Sequence, residues 1–297
     1  MGILYDETKK LFTLHTAHTS YQMMVDRFGN LLHLYYGARV HGAMDYLLTY
    51  QDRGFSGNPY AAGMDRTYSL DALPQEYPTL GTGDFRNIAF NMKNAHGTEG
   101  TVLLYQGHAI RKGKYALPGL PAVWADEEEA ETLEIVLADA VAGIEVRLLY
   151  AVLDENDVIT RSVVVRNIGT TCVTIEKAAA ACLDLVSGDY DVLRFYGKHA
   201  MERNLERTRL GHGSIRFGSR RGSSSHQYNP GVILAEAGAT ETAGACYGML
   251  FVYSGNFCCE TERDPYAQTR LLMGLNDELF SYPLAPGETF TVPEVIL

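Results

Sequence analysis

Four acidic side chains, Asp52, Asp65, Glu76 and Asp84, are internal candidates for acid–base chemistry. Hydrolytic reactions often use two carboxyls, one giving a proton while the other takes one or attacks. Glu76 and Asp84 sit in the stretch Ser69-Leu-Asp-Ala-Leu-Pro-Gln-Glu-Tyr-Pro-Thr-Leu-Gly-Thr-Gly-Asp-Phe-Arg86. Pro74, Pro78, Gly81 and Gly83 make it too irregular for a helix and too interrupted for a plain strand. It holds its acids at fixed offsets in a stiff loop. That loop begins near Tyr50, with Gly54, Gly57, Pro59 and Gly63 along the way. Long ordered loops of this kind usually carry function.

Other chemistries find little support. No phosphate-cradling glycine loop, dinucleotide fingerprint, G-x-S-x-G elbow or H-E-x-x-H occurs. His15 and His18 are three apart, so on a strand they would face opposite sides, a poor basis for a metal site. No cofactor and no metal are expected. Ser224-Ser-His-Gln227 reads as a group that hydrogen-bonds backbone to hold an irregular stretch. Asn256 and Asn276 read as turn formers. The five cysteines lack C-x-x-C spacing and read as reduced thiols of a cytoplasmic protein. The net charge of −11 argues against nucleic-acid binding. Against that balance, Arg194 to Arg221 is basic, and reads as a solvated sheet face or a subunit contact. The amino terminus has no signal-peptide hydrophobic stretch, and no run of about 18 apolar residues suggests a membrane span.

The elements that must position these residues are strands. Ile144, Val146, Leu148, Tyr150 and Val152 alternate with other residues at period two. Asp154–Asp157 turns into a second strand over Ile159–Val165, and a third starts at Cys172, giving a meander. Thr19–Asp26 and Leu31–Tyr36 flank a hairpin turn containing Gly29-Asn30. Thr101–Gln106, Thr132–Ala140 and Ala245–Ser254 also read as strands. Asp45–Tyr50 could form one helical turn, whereas Lys177–Leu185 is too uniformly apolar to assign by period. Gly211–Gly231 reads as irregular. The sum is an all-β chain with few short helices, a large antiparallel sandwich of two broad sheets.

Six or more separated segments, in order, resemble the amino-terminal domain of family 36 glycoside hydrolases, the α-galactosidase family. They are Leu11–Gln22 with Asn30–Gly37; Phe55-Ser-Gly-Asn-Pro59 with Asp65-Arg66; the Leu73–Arg86 loop; Lys114–Pro121; Arg221–Pro230; and Val252–Phe257, Gly274-Leu-Asn276 and Leu284–Glu294. The likeness spans essentially all 297 residues. It implies a β-supersandwich of the galactose mutarotase-like kind. In the family this domain precedes a (β/α)8 barrel and a small carboxy-terminal β-domain.

The resemblance also implies where catalysis is not. The family's nucleophile lies in a Lys-Trp-Asp motif on the barrel, and here the sole tryptophan, Trp124, is followed by Ala125. The chain is therefore expected to be residues 1–297 of a longer α-galactosidase, without its catalytic aspartates and inactive alone. The parent would hydrolyse terminal α-galactosides such as melibiose and raffinose by the retaining mechanism. In tetrameric relatives a loop of this domain walls a neighbouring subunit's sugar pocket. The matching positions are Asp52, Phe55, Asn58, Asp65 and Arg66. Phe55 can stack on a sugar face while Asn58, Asp52 and Arg66 bond hydroxyls; bracing of the loop by Asp65 and Arg66 is the competing role. The expected partners are its own barrel and neighbouring subunits in a homotetramer, with no nucleic acid and no membrane. Two other readings are a stand-alone carbohydrate-binding module and a complete mutarotase-like enzyme.

Overall fold

The computed structural model describes residues 2–54 and 58–297. The first strands are β1 (Ile3–Asp6), β2 (Leu11–His15), β3 (Thr19–Val25), β4 (Leu31–Ala38), β5 (Phe90–Lys93) and β6 (Leu104–Lys112). The period-two region gives β7 (Ala130–Asp139), β8 (Ile144–Leu153), β9 (Val158–Asn167) and β10 (Val173–Leu185). The basic region follows as β11 (Tyr190–Lys198), β12 (Met201–Arg209) and β13 (Gly213–Ser219). The chain closes with β14 (Tyr228–Glu236), β15 (Cys246–Val252), β16 (Phe257–Arg263), β17 (Thr269–Leu275), β18 (Tyr282–Leu284) and β19 (Thr289–Ile296). Helix among the described residues is limited to single 3-10 turns at Asp45–Leu47, Tyr60–Ala62 and Asp154–Asn156.

Every ladder between these strands is antiparallel. One layer is a nine-stranded sheet in the order β12-β11-β14-β15-β19-β9-β8-β7-β6. The other layer is divided, which corrects the expectation of two broad sheets. β1 to β4 form a four-stranded meander, and β13-β16-β17-β10-β18, with β5 also on β10, form a six-stranded sheet. A single hydrophobic cluster joins all three, from Phe12 and Tyr21 through Leu148 and Val163 to Leu271 and Val295.

The reason for the division lies in the proline-rich stretch. Residues 74–79 run between the meander and the six-stranded sheet, bridging Leu32 of β4 at Gln75 and Phe90 of β5 at Thr79. Pro74 and Pro78 have no N–H, so a continuous ladder cannot form there. Their carbonyls still accept, from His33 N–H at 3.2 Å and Ala89 N–H at 2.8 Å. The stretch therefore staples two sheets into one layer.

Two further readings are corrected, and one left open is settled. Gly211–Gly231 is not wholly irregular, since β13 pairs along its length with β16. The strand expected at Thr101 begins at Leu104 and runs on to Lys112, where β7 supplies its partner. The apolar run Lys177–Leu185 is the end of β10, a strand whose two halves pair with different neighbours.

Candidate functional site

The acids of the proline-rich loop point inward. Glu76 is fully buried. One carboxylate oxygen accepts from Tyr21 Oη (2.6 Å) and His33 Nδ1 (2.7 Å); the other accepts from Tyr150 Oη (2.7 Å) and lies 3.2 Å from Arg161 Nη2. Burial by itself pushes this carboxyl up, but the Arg161 guanidinium and the His33 hydrogen bond more than offset it and hold it below its ordinary value. Arg161 is equally buried and also donates to Cys182 O and Glu76 O.

Asp84 belongs to a second buried cluster. Arg86 Nε donates to it at 2.9 Å, and Arg270 Nη2 lies 2.9 Å away. Arg270 also makes a two-pronged contact with Asp184, at 2.7 Å on each side. Asp184 accepts the Gln75 N–H at 2.8 Å, so the cluster pins the staple to β10. Arg86 caps the Leu70 and Leu73 carbonyls. For both aspartates burial raises the pKa, and Arg270 leads the opposing charges that bring it below the ordinary value. These acids are charge-paired and walled in. None of them lines the clefts described below. Sequence reasoning picked out Glu76 and Asp84 but missed Arg161, Arg270, Asp184 and His33. The available signal was an arginine alone in an apolar strand, as in Ile159-Thr-Arg-Ser-Val163 and Thr269-Arg-Leu-Leu272.

Residues 52–54 and 58–66 are the opposite case, lying at the surface. Asp52 and Arg66 form an exposed ion pair at 3.3 Å, and Arg66 also donates to Gly54 O at 3.1 Å. Asp65 accepts from Thr67 Oγ1 (2.6 Å), Thr67 N–H (3.0 Å) and Arg27 Nη2 (2.6 Å). The Thr67 hydrogen bonds, then Arg27, lower its pKa. Asn58 donates to Asp65 O. Asp65 and Asn58 thus brace the loop, while Asp52 and Arg66 face solvent. Phe55 lies outside the described residues. Residues of the segment line two clefts. One, of about 540 Å³, is lined by Phe28, Pro59, Tyr60, Leu70, Val102 and Leu104 among others. The other, about 380 Å³, lies beside Asp26, Tyr50, Asp65 and Tyr68. Tyr60 and Phe85 project into solvent, whereas Tyr50 stacks on Tyr68 with ring centroids 6.3 Å apart.

The remaining motifs are structural in their contacts. Ser224 N–H donates to Ser254 O, Gly222 N–H to Asn256 Oδ1, and Gly197 N–H to Gln227 O, so the Ser-Ser-His-Gln loop is tied down by backbone. Asn276 donates to Ser219 O and Phe257 O and accepts the Glu278 N–H. Lys114 forms a buried ion pair with Glu294 at 2.6 Å, anchoring the 114–121 segment to β19. His15 is buried against Ser20, while His18 pairs with Asp157 at the surface. Cys258, Glu260 and Asp277 come within ligand distance of one another. Lys177 and Arg216 occupy those carboxylates. Burial, then the Glu260 charge, pushes the Cys258 thiol up to about 12. The cluster is wired as ion pairs. All five cysteines are free thiols. Among the described residues no helix is long and apolar enough to cross a membrane.

The result is an antiparallel β-sandwich whose signature acids serve packing and whose described residues at 52–54 and 58–66 are braced and largely solvent-facing. A sequence profile of the glycosyl hydrolase family 36 N-terminal domain matches residues 29–285, and the chain belongs to that family. It is 75% identical over its whole length to the bifunctional alpha-galactosidase/sucrose kinase AgaSK of Mediterraneibacter gnavus, covering 32% of that protein. It is 42% identical to alpha-galactosidase AgaA of Geobacillus stearothermophilus, covering 41% of it. The solved galactosidase domain of AgaSK superposes with a TM-score of 0.98 over 99% of this chain and 41% of that one. The GH36 alpha-galactosidase AgaB of Geobacillus stearothermophilus gives 0.95 at 42% identity, over 100% of this chain and 40% of that one. The chain thus spans well under half the length of the relatives it matches.

Proposed function

We propose that this chain is the non-catalytic amino-terminal part of an α-galactosidase, a scaffold for a catalytic barrel and for an oligomer. The whole enzyme would cleave terminal α-galactosides such as melibiose and raffinose with retention of configuration, using carboxyls carried on the barrel. The observation that carries this reading is the commitment of the chain's own acids. Glu76 and Asp84 are enclosed with arginines, and Asp65 is engaged by Thr67 and Arg27. Of these three only Asp65 borders a cleft, and there Thr67 and Arg27 already hold its carboxylate. The 52–66 loop is then a surface lent to a neighbouring subunit, with the Asp52–Arg66 pair positioned to meet sugar hydroxyls and Asn58 and Asp65 holding its shape. Phe55 would supply a stacking face.

Two measurements test this. The isolated chain should give no turnover of a chromogenic α-galactoside. In the full-length enzyme, Asp52→Ala with Arg66→Ala should raise KM for raffinose by about tenfold, the loss of roughly one charge-assisted contact, with the oligomer intact by light scattering. Hydrolysis by the chain alone, abolished by Glu76→Gln or Asp84→Asn, would overturn the scaffold reading. An unchanged KM would remove the loop from the substrate site.

A further inference from the structure

The basic stretch from Arg194 to Arg221 folds into the mouth of the sandwich. β12 ends the nine-stranded sheet and β13 ends the six-stranded sheet. The apolar core runs out between them, near Val192 and Phe217. Beyond that point the facing side chains are polar and aromatic, and they enclose a cleft of about 370 Å³. That volume falls in the range of about 300–1,000 Å³ usual for small-molecule sites.

Two tyrosines form one wall. Tyr196 of β11 and Tyr228 of β14 are direct register partners, which places their side chains together on one face. Both are substantially exposed, and neither hydroxyl has a partner among the described residues. Three arginines reach the same cleft, and each is matched by acid. Arg194 pairs with Glu206 at 2.8 Å, Arg216 with Glu260 at 2.6 Å and with Asp277, and Arg220 with Glu278. An anion site would leave positive charge unpaired to attract the ligand. Here donors and acceptors alternate around the opening with little net field, beside tyrosine faces that are apolar in the middle and polar at the tip. Those features suit a neutral ligand carrying many hydroxyls and an apolar ring face.

We propose that the Tyr196–Tyr228 cleft is a carbohydrate-binding site for a neutral mono- or oligosaccharide. It is separate from the 52–66 loop, lies at the open edge of the sandwich and does not depend on the scaffold reading. The tyrosine rings stack on the sugar's C–H face. The Arg194–Glu206 and Arg220–Glu278 pairs exchange hydrogen bonds with its hydroxyls.

Calorimetric titration of the 297-residue chain with melibiose and raffinose tests this, with galactose 1-phosphate as the anionic comparison. Saturable binding of the neutral sugars is expected. Tyr196→Ala with Tyr228→Ala should weaken it at least about tenfold, and phenylalanine at both positions should restore it. Arg111→Ala, on the exposed β6 edge at the far end of the nine-stranded sheet, should leave it unchanged. A circular dichroism melt checks that the alanine variant folds. Should it not fold, Arg220→Ala with Glu278→Ala provides the same test on exposed side chains. Absence of binding by the unaltered chain, binding that survives either cleft variant, or binding of the sugar phosphate alone would overturn the assignment. Loss of binding only in the Asp52 and Arg66 variant would move the sugar to the loop, sparing the scaffold reading while ending this one.

Discussion

Glu76 shows how much one side chain can hold together. Its carboxylate joins β3, β4, β8 and β9 through Tyr21, His33, Tyr150 and Arg161. Glu76→Gln keeps the shape but leaves the buried Arg161 charge uncompensated. It should lower unfolding stability by about 3–5 kcal/mol, the usual cost of breaking a buried pair, read as a fall in the urea midpoint with an unchanged slope. Arg270→Met should cost as much or more, since it strands both Asp84 and Asp184. The pH dependence has a definite sign. Glu76, Asp84 and Asp184 have folded-state pKa values below their ordinary ones. Their contribution is complete above the ordinary carboxylate range and is lost as pH falls below about 4 toward the depressed folded values. The melting temperature should therefore drop with acidification below that point, and less steeply in Glu76→Gln. An equal slope in both proteins would show that Glu76 is not part of the titrating set.

At the scale of elements, β10 and its neighbours are the most exacting. The strand carries a bulge between Ala179 and Ala181, opposite Gly274 of β17. A Cβ added at Gly274 would lie 2.5 Å from the Ala179 Cα, so backbone itself must shift. Gly274→Ala should destabilise by about 1–3 kcal/mol. Gly248 of β15 meets nothing within 4 Å, and Gly248→Ala should be neutral or stabilising by up to about 1 kcal/mol. Equal effects of the two changes in chemical denaturation would refute the close approach. Just past the staple, Gly81 has φ +94°, and an added Cβ would come 3.2 Å from the Gly100 Cα. The glycine–proline pattern of this loop was plain in the sequence, but its purpose was not. It read as a long functional loop holding its acids at fixed offsets, and those acids proved to be buried braces.

For the whole molecule, one core shared by three sheets predicts one cooperative unit. Scanning calorimetry should record a single endotherm, and two resolved transitions would mean that the β1–β4 meander melts on its own. The antiparallel strand character, the hairpin at Gly29, the meander through β8 and β9 and the family likeness were all legible along the chain. Each depends on period-two patterning, turn chemistry or residues close in sequence, all local properties. The splitting of the second layer, the pairing of Glu76 with Arg161 and of Asp84 with Arg270, and the opening between β12 and β13 were decided by tertiary structure alone. Those features join residues up to 186 positions apart, Asp84 to Arg270 being the longest of these ties. A charged residue inside an apolar strand does not announce its partner. Only the packing of one sheet on another brings that partner within reach, and desolvation then makes the pairing obligatory.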